Sequence, residues 1–184
     1  MTKPHLQSNF AFRLMSLEFR LRDLLRPPTR ILRGIGVRPG MTVLDFGCGP
    51  GGFSLAAAQL VGPGGRVFAV DIHPLAIQSV QRAASRRGIS NIETIFTGGL
   101  ANVPEASIDV ALLYDVLHEI PEPALTLAEI RRVLKPDGVL SVSDHHLQKD
   151  AIVAAVTDGS LFRSSGCDRW TLRFEPAKVS EPQR

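Results

Sequence analysis

VLDFGCGPGG, residues 43–52, is the most informative stretch of this sequence. A short apolar run that contains Asp45 leads into six positions that hold four glycines and one proline. Glycine has no Cβ and adopts left-handed φ, so a ligand can approach its backbone closely. A glycine-rich turn between a strand and a helix also directs backbone N–H groups toward a ligand. The stretch therefore predicts a strand, a ligand-binding turn and the start of a helix.

Strand and helix patterns alternate along most of the chain. The predicted strands are 42–45, 66–70, 92–96, 109–114 and 139–143, and the predicted helices are 29–34, 52–60, 74–88, 123–134 and 150–156. Strands that alternate with helices of this length pair in parallel through right-handed crossovers. The run VALLY, residues 110–114, is apolar throughout, which is typical of a strand covered by helices on both faces. The predicted fold class is therefore α/β, with a doubly wound sheet.

Different patterns occupy the two ends of the chain. Apolar residues at helical spacing over residues 10–25, followed by two prolines, predict an amphipathic helix. Strand patterns over 160–165 and 169–176 predict an antiparallel hairpin that closes the sheet, with its tight turn at Gly166 and Cys167. The predicted divisions are a helical extension over 1–40, a ligand-binding domain over 41–177 and a tail over 178–184.

The composition suits one soluble domain, with 44% apolar and 21% charged residues in a chain of 184. The net charge is +3, and its basic excess falls in residues 1–40, which hold eight Lys or Arg against two acids. We interpret these residues as a solvated helix face and expect no nucleic-acid partner. Cys48 and Cys167 are predicted to be free thiols of a reducing compartment. Because no signal-peptide pattern is found, a cytoplasmic location is expected.

The glycine stretch fits two kinds of nucleotide cofactor. Gly47, Gly49 and Gly52 match the dinucleotide pattern G-x-G-x-x-G, and Asp71 follows where a ribose-binding acid belongs. The same stretch also matches D-x-G-x-G-x-G, from Asp45 to Gly51. A dehydrogenase usually needs a second domain to hold its substrate, whereas the pattern here ends in a hairpin. A nicotinamide-dependent oxidoreductase is therefore the less favoured alternative.

Four segments in order resemble the class I S-adenosylmethionine-dependent methyltransferases, over about residues 30–176. They are VLDFGCGPG (43–51), VFAVDIHP (67–74), TGGLANVPEASIDVALLYDVLHEI (97–120) and EIRRVLKPDGVLSVSD (129–144). The resemblance implies a Rossmann-like sheet of seven strands in the order 3-2-1-4-5-7-6. It also implies transfer of a methyl group from S-adenosylmethionine to a small molecule, with an apolar acceptor as one option. A non-catalytic S-adenosylmethionine-binding module is an alternative.

The resemblance assigns residues to the cofactor. Asp45 would anchor the amino-acid end of S-adenosylmethionine, and Asp71 would accept hydrogen bonds from both ribose hydroxyls, because a carboxylate is purely an acceptor. Ile72 would pack on the adenine. Gly99 stands where the family often has an Asp, which leaves adenine recognition to the backbone around Leu100. The backbone along the methionine and ribose would come from Gly47, Gly49 and Gly51. An alternative role for Asp71 is to cap the helix that begins at Pro74.

The catalytic candidates follow the fourth and fifth strands, in YDVLHEI (114–120) and SDHH (143–146). In the family the first of these loops faces the methyl group, so His118 is favoured as a base or substrate-positioning residue, with a purely structural role as its alternative. His145 and His146 are the second choice, and Asp115 is assigned to both catalysis and cofactor binding. A general base matters for a hydroxyl or thiol acceptor and matters little for a neutral amine or a thiolate.

Imidazole and carboxylate groups at these two loops also suit divalent metals. However, their spacing matches no known ligand motif, and adjacent histidines on an extended segment point to opposite faces. No metal site is therefore predicted. In this family N-terminal segments commonly cover the cofactor and shape the acceptor pocket, so the helix over 10–25 is a candidate lid. Contact of this helix with an anionic membrane is a less favoured alternative.

Overall fold

The computed structural model describes residues 25–97 and 99–177, together with Phe10, Phe12, Leu14, Glu18, Phe19 and Arg22. The helices are α1 (Pro28–Gly34), α2 (Gly52–Val61), α3 (Pro74–Arg86), α4 (Pro123–Val133) and α5 (Lys149–Thr157), with a single 3₁₀ turn at Leu117–Glu119. The strands are β1 (Thr42–Phe46), β2 (Arg66–Asp71), β3 (Ile92–Phe96), β4 (Ile108–Tyr114), β5 (Leu134–Ser143), β6 (Phe162–Cys167) and β7 (Leu172–Pro176).

All seven strands form one sheet in the order β3-β2-β1-β4-β5-β7-β6. Strands β3, β2, β1, β4 and β5 run parallel to one another, and β7 is antiparallel to both of its neighbours, β5 and β6. Chain order reverses direction at β1, which pairs with β2 on one side and β4 on the other. The predicted α/β fold and strand order are confirmed.

Apolar clusters cover both faces of the sheet. Because side chains alternate along a strand, Val43 and Leu44 of β1 are both fully buried but face opposite clusters. Val43 packs with residues of α1 and α2, and Leu44 lies in the larger cluster that contains residues of α4 and α5. Burial of both faces explains why the strand patterns are apolar runs rather than alternating ones.

Strand β5 begins at Leu134 and not at Val139 as predicted. Its pairing with β4 shifts register between Ile108 and Val110, and the segment 135–138 forms an irregularity within the strand. The ammonium of Lys135 lies 2.5 Å from Asp109 Oδ1, which ties this segment to β4. A Cβ at Gly138 would lie 2.8 Å from the Leu134 side chain, so glycine is required for a close approach and not for a turn.

The hairpin turn lies two residues later than predicted. Gly166 and Cys167 belong to β6, where the register shifts between Ser164 and Gly166. The chain reverses at residues 168–171, where Asp168 Oδ1 accepts the backbone N–H groups of Trp170 and Thr171, both at 2.7 Å. An aspartate that satisfies the backbone two residues ahead supplies the turn, and the glycine supplies the strand irregularity.

The predicted N-terminal helix lies largely outside the described residues. Those described within 10–25 are helical, and the predicted tail over 178–184 is not described. Among the described residues, no helix combines the length and the apolar character that crossing a membrane requires.

Candidate functional site

Strands β1, β2, β4 and β5 all end at the same edge of the sheet. The glycine turn follows β1, Asp71 ends β2, Asp115 follows β4 and Asp144 follows β5. In an open α/β sheet this edge, at the point where strand order reverses, is where ligands bind. The sequence-predicted site residues after these four strands therefore lie along one edge.

Side chains from elsewhere in the protein pack closely against the glycine turn at two of its positions. Gly47 has φ +76°, and a Cβ there would lie 2.6 Å from the side chain of Val116. Gly51 has φ +91°, precedes α2, and would place a Cβ 2.6 Å from the side chain of Val80. At Gly49, φ +50°, the nearest described atom to an added Cβ is in the Phe19 ring at 3.8 Å. Gly49 is thus the position where the turn leaves room for a ligand.

Asp45 and Asp71 are both anchored near this turn. Asp45 is 3% exposed and accepts a hydrogen bond from the Ser54 hydroxyl at 2.5 Å. Asp71 accepts one backbone N–H on each oxygen, from Gly49 at 2.9 Å and from His73 at 2.7 Å. Burial raises the pKa of Asp71, although these two N–H groups act in the opposite direction. Each oxygen retains acceptor capacity, so this carboxylate suits two neighbouring hydroxyl donors.

The cap of α3 is His73, whose Nδ1 accepts the Leu75 N–H at 3.2 Å. The imidazole also stacks on the ring of Phe12, with centroids 4.6 Å apart. Asp71 supports the cap indirectly, through its bond from the backbone N–H of His73. The capping role considered for Asp71 therefore belongs to the neighbouring histidine.

The predicted adenine residues lie in different surroundings. Ile72 is 37% exposed and offers an apolar surface. Gly99 donates its N–H to the Thr97 hydroxyl at 3.2 Å. Leu100 is 1% exposed, its side chain lies in the core, and its carbonyl accepts from Arg132 at 2.9 Å.

Arg132 is a residue that sequence reasoning missed. It also reaches the carbonyl of Val103 at 3.1 Å, so one guanidinium holds the loop before β4 at two points. It pairs with Glu129 one turn earlier on α4. The i, i+3 spacing of this pair was readable from the sequence, but the loop it holds was not.

Two aspartate–histidine pairs cross between the loops after β4 and β5. The Asp144 Oδ2 atom lies 2.8 Å from His118 Nδ1 and accepts the His118 backbone N–H at 3.1 Å. In the same way, Asp115 Oδ1 lies 2.9 Å from His145 Nδ1 and accepts the His145 backbone N–H at 3.1 Å. Each aspartate forms hydrogen bonds with the histidine of the other loop, so two aspartate–histidine pairs join the loops.

Three imidazoles lie together at this edge. The His146 ring centroid is 4.2 Å from that of His118 and 3.9 Å from that of His145. The prediction that His145 and His146 point to opposite faces is wrong, because the chain has left strand geometry and turns at these residues. Burial raises the pKa of Asp144, but hydrogen bonds from His118 and His146 outweigh it and hold that pKa below its usual value.

The N-terminal segment, meaning the described residues up to Leu25, reaches this edge through Arg22. Its guanidinium donates to Asp115 Oδ2 and also lies over the Phe19 ring, 4.3 Å from the centroid. Asp115 thus bridges Arg22 and His145, one on each carboxylate oxygen. Arg22 falls within the helix predicted over residues 10–25, but nothing local in the sequence identified its partner.

A cavity of about 640 Å³, here called the strand-end cavity, lies beside these pairs. Its apolar lining residues are Phe19, Leu25, Ile31, Phe53, Tyr114, Val142, Leu147, Ile152, Trp170 and Leu172. Polar groups come from Asp115, Ser143, Asp144 and His145, with Arg22, Arg26, Lys149 and others around them. His145 lines the cavity and its side chain is 55% exposed, whereas His118 is 23% exposed and lies outside the lining. His145 is therefore better placed than His118 to meet a molecule in this cavity.

Asp115, Asp144 and His145 also form a group that could hold a metal ion, with one ligand atom from each within 4.8 Å of the others. Spacing along the chain could not reveal this group, because its members come from two loops. The second oxygen of Asp115 is already paired with the guanidinium of Arg22.

Comparison with known proteins agrees with this geometry. A family model described as a methyltransferase domain matches residues 38–172. The chain belongs to this methyltransferase family. Its match runs from Arg38, between α1 and β1, to the first residue of β7, and includes the glycine turn, Asp71 and both aspartate–histidine pairs.

The chain is also similar to named methyltransferases. It is 32% identical over 130 residues to the nocamycin O-methyltransferase of Saccharothrix syringae, covering 66% of this chain and 44% of that protein. It is 35% identical over 108 residues to the arsenite methyltransferase of Halobacterium salinarum, covering 58% of this chain and 27% of that protein. The chain thus spans less than half the length of these curated relatives.

A solved SAM-dependent methyltransferase from Aquifex aeolicus has the same fold, with a TM-score of 0.72 and 22% identity over 82% of this chain and 88% of that one. The predicted class I resemblance is confirmed, and the family implies S-adenosylmethionine as the cofactor. The residues at this edge fit this cofactor. The glycine turn is open at Gly49, the Asp71 carboxylate can accept hydrogen bonds from two hydroxyls, and Ile72 offers an apolar surface.

Proposed function

We propose that this methyltransferase transfers the methyl group of S-adenosylmethionine to a small, largely apolar molecule bound in the strand-end cavity. The observation that carries this proposal is the position of the cavity. Phe53, directly after the glycine turn, and His145, two residues after the end of β5, both line it. A molecule in the cavity would therefore contact both Phe53, on the cofactor side of the site, and His145.

The residues that would hold the cofactor are those on the β1 and β2 side. The open backbone at Gly49 and the anchored carboxylate of Asp45 suit the methionine and its amino group, and Asp71 suits the ribose. When bound, S-adenosylmethionine supplies a methyl group on a sulfonium that already carries the positive charge of the leaving group. The protein then contributes chiefly by aligning the acceptor with that methyl group.

The cavity supports a small apolar acceptor in both size and lining. Its volume of about 640 Å³ lies within the range of small-molecule sites, roughly 300–1,000 Å³. Aromatic rings from Phe53, Tyr114 and Trp170 line it, and Phe53 packs edge-on against Tyr114 with centroids 4.6 Å apart. The two relatives named above are each named for a small molecule, which supports a small molecule as the acceptor.

The N-terminal segment is proposed as the cover of this cavity. Glu18, Phe19, Arg22 and Leu25 contribute to the lining, and Arg22 ties the segment to Asp115. A molecule of acceptor size would be enclosed between this segment and the strand ends. Exclusion of water from the reacting atoms is the expected benefit.

Methyl transfer can be tested by mass spectrometry. The protein is incubated with a metabolite extract and S-adenosylmethionine that carries a deuterated methyl group, and products are sought by their mass shift. We expect labelled small apolar products with the wild-type protein and with Asp137→Asn, a control at an exposed site. Labelled products are expected to be lost with Asp71→Ala. Equal labelling by Asp71→Ala, or labelling of large polar macromolecules alone, would contradict the proposal.

A further inference from the structure

We infer that the acceptor carries an acidic hydroxyl on a flat conjugated skeleton, a phenol or an enol, and that His145, held by Asp115, removes its proton. This inference rests on the proposed function and names the substrate class and the base for it. It moves the favoured base from His118, which the sequence pattern selected, to a histidine of the other loop.

The geometry of the Asp115–His145 pair supports this role. Asp115 Oδ1 lies 2.9 Å from His145 Nδ1, so Nδ1 carries the proton in the neutral ring and Nε2 on the opposite edge is the acceptor. The His145 backbone N–H donates to the same oxygen, which fixes the ring relative to the carboxylate. Because the Asp115 side chain is only 8% exposed, it holds His145 from the protein side while the imidazole meets the cavity.

The chemistry of the acceptor follows from the presence of such a base. A thiolate or a neutral amine attacks a sulfonium methyl group without prior loss of a proton, whereas a phenol or enol must lose its proton to become a good nucleophile. An orienting carboxylate behind the imidazole stabilises the protonated ring. A buried aspartate oxygen paired with a histidine on the cavity wall is therefore most useful for a hydroxyl acceptor.

The aromatic lining of the strand-end cavity favours an acceptor with a flat skeleton. The rings of Phe53, Tyr114 and Trp170 present aromatic faces and edges, which suit another conjugated ring. The hydroxyl of Tyr114 is hydrogen-bonded to the Ser141 hydroxyl at 2.8 Å, and burial raises the pKa of Tyr114 far above its usual value. Tyr114 is therefore a neutral wall residue and does not compete with His145 for the acceptor proton.

The proposed methyl transfer conserves both atoms and charge. The acceptor oxygen forms a bond to the methyl carbon, the carbon–sulfur bond of the donor breaks with its electron pair on sulfur, and the hydroxyl proton goes to Nε2 of His145. The reaction begins with one positive charge on the donor and ends with one on the imidazolium. Asp115 stabilises this developing charge, and the proton then passes to solvent because His145 is exposed.

Arg22 favours this interpretation over a metal-assisted reaction. A divalent ion at Asp115, Asp144 and His145 would compete for Asp115 with a guanidinium that already donates to Oδ2. The guanidinium of Arg22 already compensates the negative charge of Asp115.

The test uses three probes of one shape: 2-naphthol, 2-naphthylamine and 2-naphthalenethiol, with S-adenosylmethionine. We expect the wild-type protein to methylate the naphthol, and His145→Gln to lower kcat for it about 100-fold. The thiol, which is largely ionised near neutral pH, should lose less than about tenfold.

A measurement on the protein without ligands complements the kinetics. Nitrogen NMR of the histidine rings should show His145 with its neutral proton on Nδ1, and Asp115→Asn should weaken that preference. A His145 with its proton on Nε2 in the wild type would overturn the assignment. So would a larger loss of naphthol turnover in His118→Gln than in His145→Gln, or equal losses for naphthol and thiol.

Calorimetry separates failure of this inference from failure of the proposed function. If the wild type does not bind S-adenosylhomocysteine, the proposed function fails. If it binds but methylates only the amine or the thiol, or none of the three probes, the acceptor class inferred here is wrong, and the labelling assay with the metabolite extract decides the proposed function separately.

Discussion

The two halves of the strand-end edge are built in different ways. On the β1 and β2 side the site consists of backbone conformation and local contacts, since Gly49, Asp71 and His73 are linked by bonds to backbone N–H groups. On the β4 and β5 side it consists of side-chain pairs between residues about 30 positions apart, such as Asp115 with His145. The first half would serve a cofactor common to a family, and the second would serve an acceptor particular to this chain.

This difference explains why the two halves are unequally readable. Left-handed glycines and an acid at the end of β2 leave a pattern in the sequence because the backbone itself demands them. The crossed aspartate–histidine pairs leave none, because either aspartate could have paired with any of three histidines. If the two halves are independent, a substitution in one half should leave the function of the other half unchanged.

The largest expected effect is from Gly47→Ala in the backbone-built half. A left-handed residue with a Cβ costs about 1–2 kcal/mol, and the clash with Val116 adds about 1–3 kcal/mol. The free energy of unfolding, measured in urea, should therefore fall by about 2–5 kcal/mol. Gly40 has φ +83° with no described atom within 4 Å of an added Cβ, so Gly40→Ala should show only the smaller backbone cost. Equal losses at the two positions would show that Val116 does not constrain the turn.

The next effect is on cofactor affinity. Asp71→Asn removes the charged acceptor proposed for the ribose, so the affinity for S-adenosylhomocysteine should fall by about 10- to 100-fold, as expected for hydrogen bonds to a charged group. Titration calorimetry measures this change, with Asp137→Asn as the control. The naphthol-to-thiol ratio should not change, since the acceptor half is intact. A changed ratio would mean that the halves are coupled.

How far sequence reasoning reached can be judged from particular residues. It identified α/β topology, strand order through a family resemblance, and the glycine turn with Asp71, because periodicity and left-handed positions are local properties. It misplaced the start of β5 and the hairpin turn, because Gly138 and Gly166 serve close approaches that depend on partners in neighbouring strands. Its choice of His118 over His145 stays a prediction, and the sequence could not show that His145 lines the cavity, because that depends on the full arrangement of both loops.

A third test compares the acid titration of one carboxylate from each half. The pKa of Asp71 is raised and that of Asp144 is lowered, so Asp71 should titrate above and Asp144 below about pH 3.9 in carbon NMR. A lowered pKa in the folded state contributes stability above the unfolded pKa, and this contribution is lost as pH falls through the folded value. The stability difference between wild type and Asp144→Asn should therefore shrink below about pH 4. A difference that stays constant into acid would contradict the pairing of Asp144 with His118.

The smallest expected effect is from Arg22→Gln, which cuts the contact between the N-terminal segment and Asp115. Partly exposed ion pairs contribute about 1 kcal/mol or less, so the unfolding free energy should change little. Affinity for S-adenosylhomocysteine should hardly change, whereas KM for 2-naphthol should rise because the cover of the cavity is loosened. Unchanged KM would show that the segment is not a cover.

Titration calorimetry of the wild-type protein with S-adenosylhomocysteine and with NAD, in parallel, tests the central claim most directly. The account predicts saturable binding of S-adenosylhomocysteine that is weakened by Asp71→Asn, with no binding of NAD. Binding of NAD alone, or S-adenosylhomocysteine binding that Asp71→Asn leaves unchanged, would contradict it.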